Sequence, residues 1–310
     1  VYYTTKEYTS LTESTSGEYC GIGSYVSQDL KTNVITLTNP FEGGPAAKAG
    51  IIAGDILLKV NGVDIKDYIL DNVVAMMKGE PGTEVVLTVS RNGKELEFTV
   101  IRAKIEVPTI SYEMKEGNVG YIKIEEFDEI TVKQFKEAID TLTEKGMTSL
   151  AIDVRNNPGG LLSSVGDMLD YLLPKGKLLV YQEYKNGNRD NLYAKEKDHM
   201  DLPCAVLING NSASAAEIFA GTMQSYGEAF LIGTQSFGKG IVQSIIPLSD
   251  GSAFKFTTAK YYLPNNVCIH GVGLTPDYVL ELEKNEEGIV EVDNQLQTAL
   301  ELLSVMASDN

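Results

Sequence analysis

The sequence predicts a mixed α/β protein of two domains. Its 310 residues are about twice the length of a typical domain. Residues 18–104 contain short apolar runs separated by hairpin turns, which is typical of a small β-rich module. From about residue 105 onward, apolar runs alternate with longer amphipathic segments, which indicates strands and helices packed in layers. We therefore expect a β-rich domain at 18–104 and an α/β domain at 105–310.

The β-rich region has two strong hairpin signals, Asn61-Gly62 and Asn92-Gly93. These dipeptides favour the tight turns that join antiparallel strands. Apolar residues at helical spacing predict a helix after the first of them. The expected elements are strands at 56–60, 84–90 and 95–101 and helices at 46–48 and 70–78.

In the α/β region, continuous apolar runs predict buried strands, and apolar residues at helical spacing predict the helices between them. The expected strands are 120–124, 150–154 and 205–208, and the expected helices are 132–145, 161–173, 213–225 and 293–303. One face of the last helix carries Leu296, Ala299, Leu300 and Leu303. We interpret this face as a packing surface inside the chain, with a homodimer contact as the alternative.

The chain is strongly acidic, with 43 Asp and Glu against 26 Lys and Arg and a formal net charge of −17. This charge repels phosphate backbones and anionic membrane surfaces, so nucleic acid is not an expected partner. The longest apolar runs fall far short of the ~20 residues of a membrane-spanning helix. The sequence starts at Val1 without a basic or apolar leader, so we expect a soluble product that is mature or trimmed.

Scarce cysteine and histidine narrow the possible chemistry. Cys20, Cys204 and Cys268 form no C-x-x-C pair, so the pattern indicates neither a disulfide framework nor a thiolate zinc site. His199 and His270 are not spaced as the ligands of a zinc hydrolase. We expect no metal and no cofactor.

Ser214 is a candidate nucleophile because it stands at the start of an expected helix, after a buried strand and a turn. The unpaired N–H groups of a helix N-terminus can stabilise an oxyanion beside such a side chain. The position also fits a simple helix cap at Ser212 or Ser214. Sequence position does not decide between these two interpretations.

A serine nucleophile needs a base, and histidine is one choice. His199 lies in a charged stretch and His270 lies in a turn, so neither has surroundings prepared for catalysis. A pair of Cys268 with His270 is a further alternative.

Lys239 is the remaining candidate base. It is flanked by Gly238 and Gly240, which allow close backbone approach, and Phe237, Ile241 and Val242 supply apolar surroundings. An amine acts as a base only when it is neutral, and burial favours the neutral form. A lysine between two glycines is also compatible with an ordinary exposed turn.

Two segments, Asn211–Ile218 and Ser236–Gln243, resemble the signature pair of the carboxyl-terminal processing, or tail-specific, proteases. The resemblance extends over nearly the whole chain, and its motifs occur in the order that the family has. The further similar segments are Ser16–Tyr19 with Gly21–Gly23, Gly50–Leu57, Asp153–Gly160, Leu248–Ser252 and Gly273–Asp277.

The resemblance implies a protease core of strand-strand-helix units in an α/β superhelix, shared with Clp-type proteases and crotonases. A PDZ domain at 18–104 is inserted into this core. Residues 1–17 then belong to the protease part, and residues 105–310 form the core itself.

The resemblance also implies a set of catalytic residues for a serine endopeptidase. Ser214 is the nucleophile, Lys239 is the general base and Gln243 orients the lysine. The oxyanion hole consists of the backbone N–H groups of Gly159 or Gly160 and of Ala215. Ala216 stands where many relatives have a third serine, and since that position is not the nucleophile we expect no loss of activity.

By the same resemblance, Gly21-Ile22-Gly23 is the loop that captures the C-terminal carboxylate of a protein substrate, with Ile22 lining an apolar pocket. Arg102 is our candidate for coupling tail binding to the protease. The family implies an extracytoplasmic setting, with a signal or membrane anchor ahead of Val1. Two alternatives remain open: a catalytically silent peptide-binding protein and a crotonase-like acyl-group enzyme.

Overall fold

The computed structural model describes residues 1–196, 199–285 and 287–308. The chain divides into two units, one formed by Glu18–Val107 and the other by Val1–Gly17 together with Pro108–Asn310. The first unit extends past residue 104 because its last strand, Ala103–Glu106, pairs antiparallel with its first, Glu18–Gly21. The mixed α/β class predicted from the sequence is confirmed.

The N-terminal segment forms strand β1 (Tyr2–Tyr3) and helix α1 (Thr5–Ser16). Thr4 caps this helix: its N–H donates to the Glu7 carboxylate at 2.7 Å, and the Glu7 N–H donates to Thr4 Oγ1 at 3.4 Å. The helix ends at Gly17 in the left-handed conformation. The sequence patterns predict neither element.

The unit Glu18–Val107 contains a six-stranded antiparallel sheet, a separate pair of antiparallel strands and two helices. Its strands are β2 (Glu18–Gly21), β3 (Ser24–Gln28), β4 (Ile35–Pro40), β5 (Asp55–Val60), β6 (Val63–Asp64), β7 (Glu84–Arg91), β8 (Lys94–Ile101) and β9 (Ala103–Glu106), and its helices are α2 (Pro45–Lys48) and α3 (Leu70–Met77). β3, β4, β5, β7 and β8 follow one another across the sheet, β6 pairs with β5, and β2 pairs with β9. Both predicted hairpin turns are present, joining β5 to β6 and β7 to β8. Its core includes Leu37, Val60, Val85, Leu87 and Val100, all fully buried.

The rest of the chain forms the second unit. Its strands are β10 (Ile110–Lys115), β11 (Val119–Ile124), β12 (Ser149–Asp153), β13 (Leu178–Tyr184), β14 (Arg189–Tyr193), β15 (Cys204–Ile208), β16 (Phe230–Gly233), β17 (Ile241–Pro247), β18 (Ala253–Tyr262) and β19 (Tyr278–Val279). Its helices are α4 (Thr131–Glu144), α5 (Leu162–Leu172), α6 (Ala215–Tyr226) and α7 (Asn294–Ser308), with a short 3₁₀ turn at Glu116–Asn118.

The central sheet of this unit has the order β10-β11-β12-β15-β16-β19. All of its neighbouring strands are parallel except β10, which is antiparallel to β11. Side chains alternate between its two faces. Ile152 and Val206 pack with helices α4, α5 and α6, whereas Ala151 and Leu207 pack with Leu303 and its neighbours on α7. The apolar face of the last helix therefore packs inside the chain.

The carboxyl ends of β12, β15 and β16 lie at one edge of the central sheet, because these strands are parallel neighbours. This edge is where open α/β sheets bind their ligands. The loops that follow the three strands are 154–161, 209–214 and 234–240. Gly159, Gly160, Ser214 and Lys239 lie in these loops, and Ala215 is the first residue of α6 directly after the second loop.

A second sheet has the order β1-β18-β13-β14, with β17 also paired to β18. Strand β17 begins directly after the loop that carries Lys239. No helix in the described parts of the chain is long and apolar enough to cross a lipid bilayer.

Candidate active site

Ser214 lies in the loop after β15, at the N-terminus of helix α6. Its backbone has φ 55° and ψ −114°, a combination outside the ordinary left-handed helical region and costly for a residue with a Cβ. Such strain is of order 1–3 kcal/mol and persists only where the surroundings impose it. The sharp turn presents the serine at the carboxyl edge of the sheet, as a nucleophile requires.

Hydrogen bonds from neighbouring loops hold this turn. The Ala213 N–H donates to the Asn157 carbonyl oxygen at 3.0 Å. The buried Ser212 hydroxyl donates to the Val154 carbonyl oxygen at 2.8 Å. The Ser214 N–H donates to Glu217 Oε2 at 2.9 Å. Ser212 is therefore a structural residue of the loop, and Ser214 occupies the N-cap position.

Glu217 is a buried carboxylate at the centre of the site. It lies one turn into α6 with no exposed surface. Its oxygens accept four hydrogen bonds, from Ser214 N (2.9 Å), Lys239 N (2.8 Å), Gly238 N (2.7 Å) and Ser236 Oγ (2.5 Å). An ionised carboxylate is an acceptor only, so four donors match it and stabilise its charge. Glu217 thus ties the turn of Ser214 to the loop of Lys239.

Lys239 lies in the loop between β16 and β17, with a half-buried side chain. Its ammonium makes no hydrogen bond or ion pair with any residue that the structure describes. Ile241 and Val242 are half-buried, but Phe237 is 64% exposed and does not enclose the lysine as the sequence suggested. Glu217 fixes the backbone of the lysine, and no side chain among the described residues fixes its amine.

Gly159 and Gly160 lie against the turn that carries Ser214. Gly159 has φ 110°, and a Cβ atom there would be 2.8 Å from the Ala213 carbonyl oxygen and 3.0 Å from Ala215 N. Only glycine permits this approach. The Gly159 N–H donates to Asn157 Oδ1 at 2.8 Å. The Gly159-Gly160 turn and the start of α6 therefore meet beside Ser214.

Gln243 and the histidines stand apart from these contacts. Gln243 is exposed on β17, beside a β-bulge, and no hydrogen bond joins it to Lys239 in the described part of the chain. His199 and His270 are both exposed.

The Cys204 thiol is buried, which raises its pKa to about 12. Among the residues described, no cluster of His, Cys, Asp and Glu could hold a metal ion.

Asp128 is a buried acid close to the glycine turn. The residue before it, Phe127, donates its N–H to the Gly159 carbonyl oxygen at 2.9 Å. Burial, followed by the charges of Glu126 and Glu129, raises the pKa of Asp128 to about 7. This carboxyl thus changes its charge in the neutral pH range.

In the smaller unit, Gly21 and Ile22 of the predicted peptide-binding loop line a cavity of about 260 Å³. Its apolar lining includes Ile22, Val26, Phe41, Val74 and Met77. Arg102 is buried in the same unit and donates to the carbonyl oxygens of Met76 and Met77 at 3.1 and 3.0 Å, at the end of α3.

Sequence reasoning missed Glu217 and Asn157 as site residues. Glu217 stands three residues after Ser214, the spacing of a capping box, and that spacing was the available signal. Asn157 is fully buried, and its side chain donates to the Ile124 carbonyl oxygen at 2.8 Å. No local pattern marks this role, because its partners come from other strands and loops.

Known proteins resemble this chain in both units. Residues 118–280 match the profile of Peptidase family S41, and residues 38–91 match the PDZ domain. A carboxy-terminal-processing protease of Bartonella bacilliformis is 40% identical over 278 residues, covering 87% of this chain and 63% of that protein. A probable CtpA-like serine protease of Staphylococcus saprophyticus is 38% identical over 283 residues, covering 90% of this chain and 57% of that protein. The chain thus spans less than two thirds of the length of these relatives.

Solved structures show the same fold. The photosystem II D1 C-terminal processing protease is 28% identical, with a TM-score of 0.55 over 94% of this chain and 81% of that chain. The tricorn protease is 18% identical, with a TM-score of 0.52 over 94% of this chain and 29% of that chain, and shows likeness of fold alone. The profile match, the curated relatives and the fold agree: the chain belongs to peptidase family S41.

Proposed function

We propose that this chain is a serine endopeptidase that cleaves proteins recognised by their C-terminal tails, with Ser214 as nucleophile and Lys239 as general base. The observation that carries the proposal is the carboxylate of Glu217, which accepts the backbone N–H groups of both residues. A shared acceptor keeps the two residues close, as a nucleophile and its base must be. The scarcity of histidine and membership of family S41 support the same assignment.

Acylation is the first half of the proposed reaction. The neutral Lys239 amine takes the proton of Ser214 Oγ while this oxygen attacks the scissile carbonyl carbon. The backbone N–H groups of Ala215 and Gly160 stabilise the oxyanion that forms. Gly160 takes this role because the Gly159 N–H is bonded to Asn157. As the C–N bond breaks, the Lys239 ammonium returns the proton to the leaving amine.

Hydrolysis of the acyl ester completes the cycle. Lys239 takes a proton from water, the hydroxyl attacks the ester, and the proton returns to Ser214 as the acid product leaves. We assign to Gln243 the role of orienting Lys239 once substrate is bound, because catalytic hydrogen bonds often form only in that complex.

We assign recognition of the substrate's C-terminal tail to the unit Glu18–Val107. The N–H groups of Gly21-Ile22-Gly23 receive the terminal carboxylate, and the apolar cavity receives the last side chain. Arg102 couples binding to cleavage in this proposal, because it holds the end of helix α3, from which Met77 lines the cavity. We also propose an extracytoplasmic setting for the protein, on the likeness to its curated relatives.

Cleavage of an unfolded protein tests the catalytic pair. We expect Ser214→Ala and Lys239→Ala to lose activity by several orders of magnitude. Lys239→Arg should also be inactive, because a guanidinium does not give up its proton. Ser249→Ala, at an exposed serine, is the matched control and should cleave at the normal rate. Full activity of Ser214→Ala would refute the role of Ser214 as nucleophile. An inactive wild-type chain would favour the alternative of a catalytically silent peptide-binding protein.

Tail recognition is tested with one peptide substrate made as the free acid and as the C-terminal amide. We expect faster cleavage of the acid, and we expect Arg102→Lys to reduce this preference. Equal rates for acid and amide in the wild type would refute recognition of the tail. An unchanged preference in Arg102→Lys would refute the coupling role alone.

A further inference from the structure

Three asparagine side chains join the two loops that carry the proposed oxyanion donors. Asn156 lies in the loop after β12, and Asn209 and Asn211 lie in the loop after β15. Asn209 Nδ2 and Asn211 Nδ2 both donate to Asn156 Oδ1, at 3.0 and 2.9 Å. In the other direction, the Asn156 N–H donates to Asn209 Oδ1 at 3.0 Å. These three side chains form an asparagine clasp between the loops.

Backbone donors fix the direction of every hydrogen bond in the clasp. Asn209 Oδ1 accepts the N–H groups of both Asn156 and Asn211, each at 3.0 Å. Because a backbone N–H can only donate, the atom of Asn209 that faces these groups is its oxygen, and its other terminal atom is the amide nitrogen. That nitrogen reaches Asn156, which therefore presents its oxygen. Asn211 must then present its own amide nitrogen to the same oxygen.

Two buried hydrogen bonds also join these loops, on the inner side. The Ser212 hydroxyl donates to the Val154 carbonyl oxygen at 2.8 Å. The Ala213 N–H donates to the Asn157 carbonyl oxygen at 3.0 Å. The clasp adds a tie on the solvent side, where two of its three residues are exposed. With ties on both sides, one loop cannot pivot against the other about the buried pair of bonds.

The proposed oxyanion hole is assembled from the same two loops. Gly160 stands four residues after Asn156, and Ala215 stands four residues after Asn211. Their N–H groups must each lie about 2.7–3.1 Å from one oxyanion. A movement of one loop against the other lengthens one of these two distances. Such a movement weakens binding of the transition state, in which the oxyanion exists, more than binding of the substrate.

We infer that the asparagine clasp positions the oxyanion hole, because it fixes the spacing between the Gly160 and Ala215 N–H groups. This inference rests on the proposed serine-peptidase mechanism. The three asparagines contact no reacting atom in this role and act through the backbone of the two donors. Loss of the clasp therefore lowers kcat and leaves KM nearly unchanged.

Two variants of equal shape and charge test the inference. Asn156→Asp keeps an acceptor for both amide nitrogens, so we expect wild-type kcat. Asn211→Asp replaces a donor by a second acceptor and breaks the clasp. We expect its kcat to fall about tenfold at unchanged KM, less than the ~100-fold lost when an oxyanion donor is removed. Steady-state kinetics on a fluorophore–quencher peptide with a free C-terminal carboxylate measure both constants.

A third variant separates the clasp from backbone strain. Asn156 has φ 63°, and Asn156→Gly suits this left-handed conformation while it removes the side chain. We expect it too to lose about tenfold in kcat. Asn118→Gly is the matched control and should cleave at the normal rate. Asn118 has φ 56° and is exposed, and its side chain makes no hydrogen bond with any residue that the structure describes.

Equal kcat in Asn156→Asp and Asn211→Asp would overturn the inference, because the bond then has no effect or the added charge accounts for the loss. A rise in KM with kcat preserved in Asn211→Asp would overturn it as well. Wild-type cleavage that is lost in Ser214→Ala would leave the proposed function standing in both cases. Cleavage by Ser214→Ala at the wild-type rate would overturn the proposed function and the role of the clasp together.

Discussion

The backbone N–H groups of Ser214 and Lys239 donate to the same atom, Oε2 of Glu217, at 2.9 and 2.8 Å. The other oxygen of this carboxylate accepts from Gly238 and Ser236. Helix α6 and the loop before β17 are therefore joined by one side chain. The relative position of the two residues depends on that side chain, since they are separated by a whole helix and a strand in the sequence.

We predict that Glu217→Gln lowers kcat about 100-fold or more with little change in KM. The amide nitrogen of glutamine cannot accept, so two of the four donors lose their partner. Misplacement by about 1 Å at a catalytic pair costs roughly this much. Steady-state kinetics on a peptide substrate measure the effect. Glu144→Gln, at an exposed glutamate of α4, is the control and should behave as wild type.

A rise in KM with kcat preserved would contradict the positioning role of Glu217. Circular dichroism of the variant separates loss of position from loss of fold, since a positional defect leaves the spectrum unchanged at the assay temperature.

We predict that Gly159→Ala abolishes measurable cleavage. The new methyl group would lie 2.8 Å from the Ala213 carbonyl oxygen and 2.9 Å from Ser214 Cβ, so the turn that carries Ser214 must move. Gly146→Ala is a matched control, because Gly146 also has a left-handed φ but nothing lies within 4 Å of the added atom. We expect that control to lose about 1 kcal/mol of stability and to keep its activity. Normal cleavage by Gly159→Ala would show that the turn has room to adjust.

The sequence predicts three of the six strands of the central sheet, β11, β12 and β15, and no strand of the second sheet, for a physical reason. Strands such as Cys204–Ile208 are buried on both faces and read as continuous apolar runs. Strand β17 contains half-buried and exposed residues without clear alternation, so no pattern marks it. Ser214 and Lys239 are recognisable from local motifs. Asn157 is not, because its partner lies on another strand. Glu217 is marked only by its capping-box spacing from Ser214, and its bond to Lys239 is set by tertiary contacts.

Arg155 connects the central sheet to the last helix. Its guanidinium donates to Asp153 and to Asp293, both at 2.6 Å, and Asp293 immediately precedes α7. We predict that Arg155→Met destabilises the larger unit by about 3–5 kcal/mol, because it leaves the buried Asp153 without its ion-pair partner. Calorimetric unfolding measures the loss. Arg189→Met is the control, since its ion pair with Glu183 is exposed and worth at most about 1 kcal/mol.

An equal loss of stability in Arg155→Met and Arg189→Met would contradict the anchoring role.

The stabilisation from the ion pair of Arg155 with Asp293 also depends on pH. Burial alone would raise the pKa of Asp293, but the hydrogen bonds and charge of Arg155 hold it below its usual value. The stabilisation from Asp293 is therefore present at neutral pH and is lost as the pH falls through this lowered pKa.

Asp128 has the opposite pH dependence. Its pKa in the folded chain is about 7, raised by burial and by Glu126 and Glu129, whereas an unfolded aspartate has a pKa near 3.9. The folded state therefore binds the proton more tightly, and this stabilisation is complete below about pH 4 and is lost as the pH rises through 7. At about 1.36 kcal/mol per pKa unit the whole change is at most about 4 kcal/mol.

We predict that Asp128→Asn stabilises the larger unit at pH 8 relative to wild type and has little effect at pH 5. The variant lacks the ionisation that costs free energy at high pH, and it keeps the backbone hydrogen bonds of Asp128 to Thr131 and Ser164. Unfolding monitored by calorimetry at the two pH values measures the difference. Asp140→Asn, at an exposed aspartate of α4, should show no such pH-dependent gain. A gain for Asp128→Asn of equal size at both pH values would mean that lost repulsion from the acidic surface, and not the buried proton, is responsible.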